Sequence, residues 1–459
     1  MMVIDRLISR LNEPVSLAPL VFLRIVFGLI MCFSTIRFMY NGWVESLYLE
    51  PEFFFTFWDI PWIAPLPEFW MFAAYIVMAI AALGIALGAW FRISAITFLL
   101  LFSYIELIDK TYYLNHYYFV SIFCFLLLIS PAHKRFSIDV LRNAVLRQSH
   151  TANWYRAVFL FQLSIVYFFA GMAKLQSDWL LEAMPLKIWL PAREDLPLIG
   201  SLLKYEATAY VFSWSGAIYD LFIPFILLNR KTVWYGYAGV VVFHMFTWLL
   251  FPIGVFPWVM IGATTIFLPA IFTENLLSRI EGKNQLSAVI QPVKTDWKLF
   301  VSIFLFIQLI IPLRFLLYSN NVLWYEEGFR FSWRVMLVEK NGSLQYRVEE
   351  IGSNKMGIEE PSTHLTSFQQ KQMCVQPDMI LQYAHFIGAK YKKQGKNVKV
   401  YADSFVSFNG RASQRYVREE VDLMQITQQD SREVWMTELQ TGTGNAQMRS
   451  DLSNRSVNE

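Results

Sequence analysis

The sequence predicts a mainly α, polytopic membrane protein of about nine transmembrane helices followed by a small extramembrane α+β domain. Three observations carry that expectation. The 459-residue chain is 55% hydrophobic and 17% aromatic, with a mean hydropathy of +0.37, too apolar for a water-soluble domain of this length. The apolar residues are crowded into residues 1–318, in runs long enough to cross a bilayer. Residues 319–459 instead have the mixed composition of a soluble segment. The organisation expected is a membrane domain over 1–318, an extramembrane domain over 319–440 and a polar, disordered tail over 441–459.

Taken in order, the N-terminus (MMVIDRLISRLNEP) reads as a short interfacial helix rather than a cleavable signal. It is amphipathic, carries Asp5 and Glu13, and offers no small-residue cleavage site. Spans are expected at 17–38, 68–91, 93–109, 116–131, 154–174, 208–229, 232–251, 254–272 and 297–318. The third and fourth are short, and the Trp- and Pro-rich stretch 175–207 reads as re-entrant or interfacial. One set of loops collects Arg6, Arg10, Arg92, Lys134, Arg135, Arg142, Arg147, Arg156, Arg230, Lys231, Arg279, Lys283 and Lys294. The loop 39–67 has no Lys or Arg. The positive-inside rule then puts the N-terminus in the cytoplasm, and an odd number of spans puts the C-terminal domain on the periplasmic, extracellular or lumen-equivalent side.

In the C-terminal segment, 331–339 and 343–350 read as strands joined by a Lys340-Asn341-Gly342 hairpin turn. Residues 364–393 have helical periodicity, 398–408 reads as a strand ended by Asn409-Gly410, and 416–424 as a further strand.

Several chemistries are excluded. A net charge of +3 with no basic stripe gives no footprint for nucleic acid. The three cysteines, Cys32, Cys124 and Cys374, have neither zinc spacing nor a disulfide framework. No Walker A loop, dinucleotide fingerprint, HExxH, nucleophile elbow or biotin- or ATP-binding segment is present. No metal, biotin or ATP is therefore expected.

What remains is a set of polar groups in apolar surroundings. Lys174 closes the run QLSIVYFFAGMAKL, where an ionisable group is costly and is by default a functional candidate. Desolvation favours its neutral amine, which suits a base; the plainer account is a snorkelling helix anchor. His116 lies in IDKTYYLNHYYF with Lys110 and Asn115, which also suits a polar turn in a tyrosine belt. His244, in VVVFHMFTW, sits inside an apolar helix and could equally be an interhelical hydrogen bond. All of these fall at the outward ends or halves of their spans, on the side expected for the soluble domain.

Together these blocks carry a resemblance. IVYFFAGMAKLQSDW (165–179), LIDKTYYLNHYYF (107–119), ALGAWFRIS (86–94), VVFHMF (241–246), FPIGVFPWVM (251–260), EGFRFSWRVM (327–336) and VYADSFVSFNGRASQRYVREEVDLMQ (400–425) are similar, colinearly, to the vitamin K-dependent gamma-glutamyl carboxylases within the wider HTTM group. The chain looks like a short, bacterial-type member. The resemblance implies a carbon–carbon lyase that couples epoxidation of vitamin K hydroquinone, or a menaquinol, with O2 to removal of a glutamate γ-proton and addition of CO2. It makes Lys174 the base toward the hydroquinone, with His116 and His244 as further active-site groups. It places Tyr167, seven residues before the base, and Lys110 at the quinol, and Arg411 and Arg415 near the glutamate substrate. The expected partners are membrane lipid, quinol and a Glu-containing protein or peptide.

The departures are specific. The family's paired lysine is Ala173-Lys174 here, and the loop 39–67 has no cysteine for the animal disulfide. The chain ends well before the animal proteins do, so their propeptide recruitment is not expected. Two alternatives stay open at this point: a non-enzymatic HTTM protein binding lipid or quinone, and a quinol epoxidase without peptide carboxylation. A transporter is disfavoured, because no inverted repeat is visible.

Overall fold

The computed structural model describes residues 2–57, 62–281, 297–318, 320–353 and 355–440. The expected disordered tail at 441–459, with Lys283 and Lys294, lies outside the described residues. The membrane part runs α1 (Met2–Asn12), α2 (Ala18–Tyr40), α3 (Glu68–Leu87), α4 (Phe91–Ile108), α5 (Asn115–Ile129), α6 (Trp154–Ala173), α7 (Glu206–Leu228), α8 (Val233–Leu250), α9 (Phe256–Thr264), α10 (Ala270–Glu281) and α11 (Lys298–Leu313). Among the described residues, seven helices are long and apolar enough to cross a membrane: α2, α3, α4, α6, α7, α8, and α11 with its extension to Leu317.

The other two expected spans differ, each for a visible reason. α5 has 15 residues, about 22 Å at 1.5 Å per residue, short of a ~30 Å hydrocarbon core. Its first residue is drawn toward the C-terminal domain, where Asn115 Nδ2 donates to the Arg334 carbonyl at 2.7 Å. The eighth span is broken, with its two halves bent by 101°. Pro269 follows the first half and cannot continue the ladder. The carbonyls freed there are bound by Arg156, whose guanidinium donates to Ile266, Phe267 and Leu268 oxygens at 2.9–3.3 Å. A residue expected only to mark a cytoplasmic loop thus caps a broken helix.

Loops gather at two ends. At one, β1 (Pro14–Ser16) pairs antiparallel with β2 (His150–Ala152), and Arg135 makes ion pairs with Glu274 and Glu281 at 2.8 and 2.9 Å. At the other end, residues 52–56, 109–114 and 174–205 meet the C-terminal domain. There 175–207 does not span; it forms short helices such as Ser177–Leu180 and Leu186–Trp189. Trp179, Leu186 and Leu190 from this segment share a core with the C-terminal domain.

That domain has one antiparallel sheet in the order β4 (Met356–Glu359), β3 (Lys340–Glu350), β5 (Val398–Phe408), β6 (Gln414–Arg415). α12 (Ser367–Met373) and α13 (Pro377–Lys393) complete it. Met379, Tyr383 and Ile387 of α13 pack in one core with Tyr346, Val400 and Ala402 of the sheet. The expected 331–350 hairpin is not formed. β3 runs straight through Asn341-Gly342, which pair with Ser407 and Val406, so ladder pairing with a long partner overrides the local turn signal. Residues 331–339 are irregular, with positive φ at Phe331, Trp333 and Met336. Their aromatics go to the membrane helices instead: Trp333 stacks on Tyr118 at 5.0 Å. The expected helix 364–393 is split at Pro377, and 416–424 contributes only a bridge from Val417 to Met436.

Docking of the domain is polar and specific. Gln369 Nε2 donates to the Phe53 carbonyl at 2.7 Å and to Asp109 Oδ2 at 2.8 Å. Asp378 receives both Lys110 at 2.8 Å and Arg330 at 2.7 Å. Burial opposes ionisation of Asp378, but the two cations outweigh it and hold the carboxyl well below the usual carboxylate range. An unfolded aspartate titrates near ~3.9. Asp378 therefore stabilises the folded state fully above that pH, and its contribution is lost as pH falls through the lower folded value. Asp378→Asn is expected to cost about 3–5 kcal/mol by removing the negative charge that faces Lys110 and Arg330. Thermal unfolding in detergent reads this out; a midpoint equal to the parent's would contradict it.

Candidate functional site

Lys174 caps the C-terminus of α6, and the chain beyond it turns back over the end of α7. Close approach of these two helices is permitted by Gly171. A Cβ there would lie 2.8 Å from the Leu221 backbone nitrogen, a distance no packed side chain tolerates. Leu221 follows Asp220, so the glycine brings Asp220 against the end of α6. Lys174 Nζ donates to Asp220 Oδ2 at 2.6 Å, with a longer 3.4 Å contact to the Ala170 carbonyl. Both side chains are buried, at 9% and 7% exposure. Neither charge would be affordable alone at membrane depth.

The turn after Lys174 is fastened from two sides. On the membrane side, Trp179 Nε1 donates to the Ser213 carbonyl at 2.8 Å, and the Ser213 hydroxyl donates back to the Trp179 carbonyl. The Trp179 ring lies 5.4 Å from Lys174 Nζ, within range of a cation–π attraction. On the domain side, Arg411 grips both oxygens of Asp178 at 2.7 Å, and Asn409 Nδ2 adds a third bond at 2.7 Å. Burial opposes ionisation of Asp178, but these bonds lower its pKa, while Arg411 is raised chiefly by its bond to Asp178.

A second polar group lies on the same side of α6. Tyr167 Oη shares a hydrogen bond with His244 Nε2 at 3.1 Å and touches Thr264 Oγ1 at 3.5 Å. The Tyr219 ring, next in sequence to Asp220, meets Tyr167 edge-on at 5.9 Å. Phe256 meets His244 at 6.0 Å on one side and stacks on His116 at 5.1 Å on the other. Ring contacts thus run from Tyr219 through Tyr167, His244 and Phe256 to His116.

Of the residues singled out in the sequence, Tyr167, His244 and His116 fall in this connected group, and Lys174 joins it through Asp220, the neighbour of Tyr219. Lys110, Arg411 and Arg415 lie elsewhere in the network. Lys110 is engaged by Asp378. Arg411 reaches the Lys174 turn through Asp178. Arg415 pairs with Asp403 and Glu419 on the sheet. Asp220 escaped the sequence reading, although it is the only charged residue between Glu206 and Arg230, which is the same signal that marked Lys174. Thr264 and Phe256 carried no such signal.

His244 Nδ1 is buried without a hydrogen-bond partner among the described residues, and the rings of Phe243 and Phe256 meet the imidazole at right angles at 5.3 and 6.0 Å. Among the described residues no group of three or more His, Cys, Asp or Glu side chains could hold a metal ion.

A helical membrane bundle with a lysine-bearing turn at one end, covered by a small α+β domain, defines a membrane-embedded HTTM protein, and residues 12–271 match the HTTM domain family. Residues 294–442 match the lumenal domain of vitamin K-dependent gamma-carboxylase. The chain belongs to the vitamin K-dependent gamma-glutamyl carboxylase family. No solved structure matches it.

The geometry makes Gly171 a test of the helix contact. Gly171→Ala is expected to force α6 and α7 apart and to destabilise the protein by roughly 1–3 kcal/mol. An unchanged thermal midpoint would mean that the two helices do not meet there.

Proposed function

We propose that this chain carboxylates the γ-carbon of glutamate in a protein or peptide, driven by oxidation of a membrane-borne hydroquinone. The observation that carries the reading is the 2.6 Å contact between Lys174 Nζ and Asp220 Oδ2 inside the bundle, beside the Tyr167–His244 pair. When bound, vitamin K hydroquinone or a menaquinol supplies, with O2, the strong base that glutamate deprotonation requires and that no side chain can provide.

The protein's own part is proton handling. A proton on the Lys174–Asp220 contact rests on either atom. With it on Asp220, Lys174 is a neutral amine and the pair carries no net or separated charge, which burial favours. Lys174 Nζ in that form accepts a proton from a hydroxyl presented to it, as a general base. Asp220 keeps its own proton in that step, and the new ammonium is balanced by the hydroxyl oxygen that has lost one. His244 and Tyr167 hold one another's polar atoms, and the open His244 Nδ1 orients a second hydroxyl or carbonyl. Trp179 and the aromatic walls exclude water. His116 flanks this group through Phe256.

The orientation proposed puts the N-terminus in the cytoplasm and the C-terminal domain outside. It rests on the Lys/Arg bias of the loops at the Arg135 end. A peptide then arrives from the side covered by the domain, while quinol arrives from the lipid. Arg411 acts in this reading as a positioning residue for the Lys174 turn, and Lys110 as an anchor of the domain.

The test uses purified protein in nanodiscs with reduced vitamin K or menaquinol, oxygen, labelled bicarbonate and a short Glu-containing peptide. Both labelled peptide and quinone epoxide are expected. Lys174→Ala should lower both by about 10²–10⁴-fold while the protein still folds; normal turnover in that variant ends the assignment. Asp220→Asn should lower both by about 10²-fold and displace the acid limb of the pH–rate profile, whereas a purely structural partner would lower the rate equally at every pH. Arg411→Gln separates two roles: a fall in kcat at constant peptide KM fits positioning through Asp178, and a rise in KM alone fits direct peptide binding.

A further inference from the structure

A cavity of about 370 Å³ opens between the membrane helices and the C-terminal domain, apart from the Lys174 group. Its one charged lining residue is Glu106, in the last turn of α4. Among the described residues, no cation or hydrogen-bond donor is paired with that carboxylate. Around it stand the rings of Phe38, Trp43, Tyr48, Tyr75 and Tyr117. Their mutual packing fixes them: Phe38 meets Trp43 at 5.3 Å and stacks on Tyr75 at 5.2 Å, and Tyr48 meets Tyr75 at 6.4 Å. Tyr48, Tyr75 and Tyr117 line the same cavity as Glu106.

An unpaired carboxylate at membrane depth calls for a counter-charge. An anionic ligand would meet repulsion from Glu106. A divalent metal would find a single carboxylate, since no group of three ligating side chains is present among the described residues. A substituted ammonium meets both features at once: its charge is balanced by Glu106, and its alkyl surface lies against ring faces whose negative quadrupoles attract cations. The volume suits a headgroup-sized ligand.

We propose that this cavity binds a substituted ammonium group, with Glu106 as counter-ion and the surrounding rings as walls. A choline- or ethanolamine-type lipid headgroup and a free organic amine share that chemistry. Phe368 and Gln372 of α12 line the cavity, and Phe368 stacks on Tyr112 at 5.4 Å. An occupant therefore ties the C-terminal domain to the membrane helices and raises the stability of their joined state. The proposal does not depend on the chemistry assigned to Lys174.

The test begins with the unaltered full chain in detergent free of amine lipids, titrated calorimetrically with choline and with its uncharged tert-butyl isostere. Saturable choline binding, tighter than the isostere's by about tenfold or more, is expected if a free amine is the source. A parallel arm reconstitutes the chain with phosphatidylethanolamine or phosphatidylglycerol and follows retained lipid by native mass spectrometry. Selective retention of phosphatidylethanolamine, lost in Glu106→Gln, assigns a lipid headgroup. Equal binding of the isostere, identical behaviour of Glu106→Gln, or binding of neither choline nor phosphatidylethanolamine would overturn the proposal.

Discussion

Lys174 Nζ and an Asp220 carboxyl oxygen meeting at 2.6 Å inside a helical membrane bundle constrain everything built around them. Neither group is tolerable there alone, and the pair persists only with close geometry and supporting contacts. Gly171 lets α6 and α7 approach until Asp220 reaches Lys174. Trp179 covers the pair from the turn, held by reciprocal hydrogen bonds with Ser213. Asp178 passes the constraint to the C-terminal domain, where Arg411 and Asn409 hold it. The sequence block around Lys174 is therefore a set of parts with separate physical tasks: a glycine for approach, a lysine, an aspartate for tethering and a tryptophan as cover.

The C-terminal domain is bound into the same construction. Its sheet and α13 form a core of their own, yet that core also takes in Trp179, Leu186 and Leu190 from the segment after Lys174. Gln369 bonds to the loops at Phe53 and Asp109, and Asp378 gathers Lys110 and Arg330. In the function proposed, a substrate reaching Lys174 from that side has to pass a surface made jointly by both parts. This gives a physical sense to the joint occurrence of the HTTM and lumenal-domain matches along one chain.

Hydropathy made most of the membrane part legible, because a bilayer demands apolar runs of a set length and helices leave no backbone group unsatisfied. It erred where other interactions override length. α5 is shortened, and the eighth span breaks at Pro269, where Arg156 satisfies the freed carbonyls. In the soluble part, Asn341-Gly342 carries a strong local turn signal, but pairing of β3 with β5 runs through it. Trp333 and Phe331 looked like strand residues and pack instead on α5, a long-range destination that local pattern does not encode. At the candidate site the residues marked by resemblance were visible, while their partners were not. Asp220 could have been found by the rule that marked Lys174. Phe256 and the Tyr167–His244 bond depend on how helices cross, which one sequence does not reveal.

The central question is where the proton of the Lys174–Asp220 pair resides when hydroquinone is present. Infrared difference spectroscopy on protein with isotope-labelled aspartate, before and after hydroquinone is added without oxygen, reads this directly. A protonated carboxyl band is expected in the parent with hydroquinone present and is missing in Asp220→Asn. A labelled aspartate that stays fully ionised, in protein that still converts hydroquinone to epoxide once oxygen is admitted, would contradict that expectation.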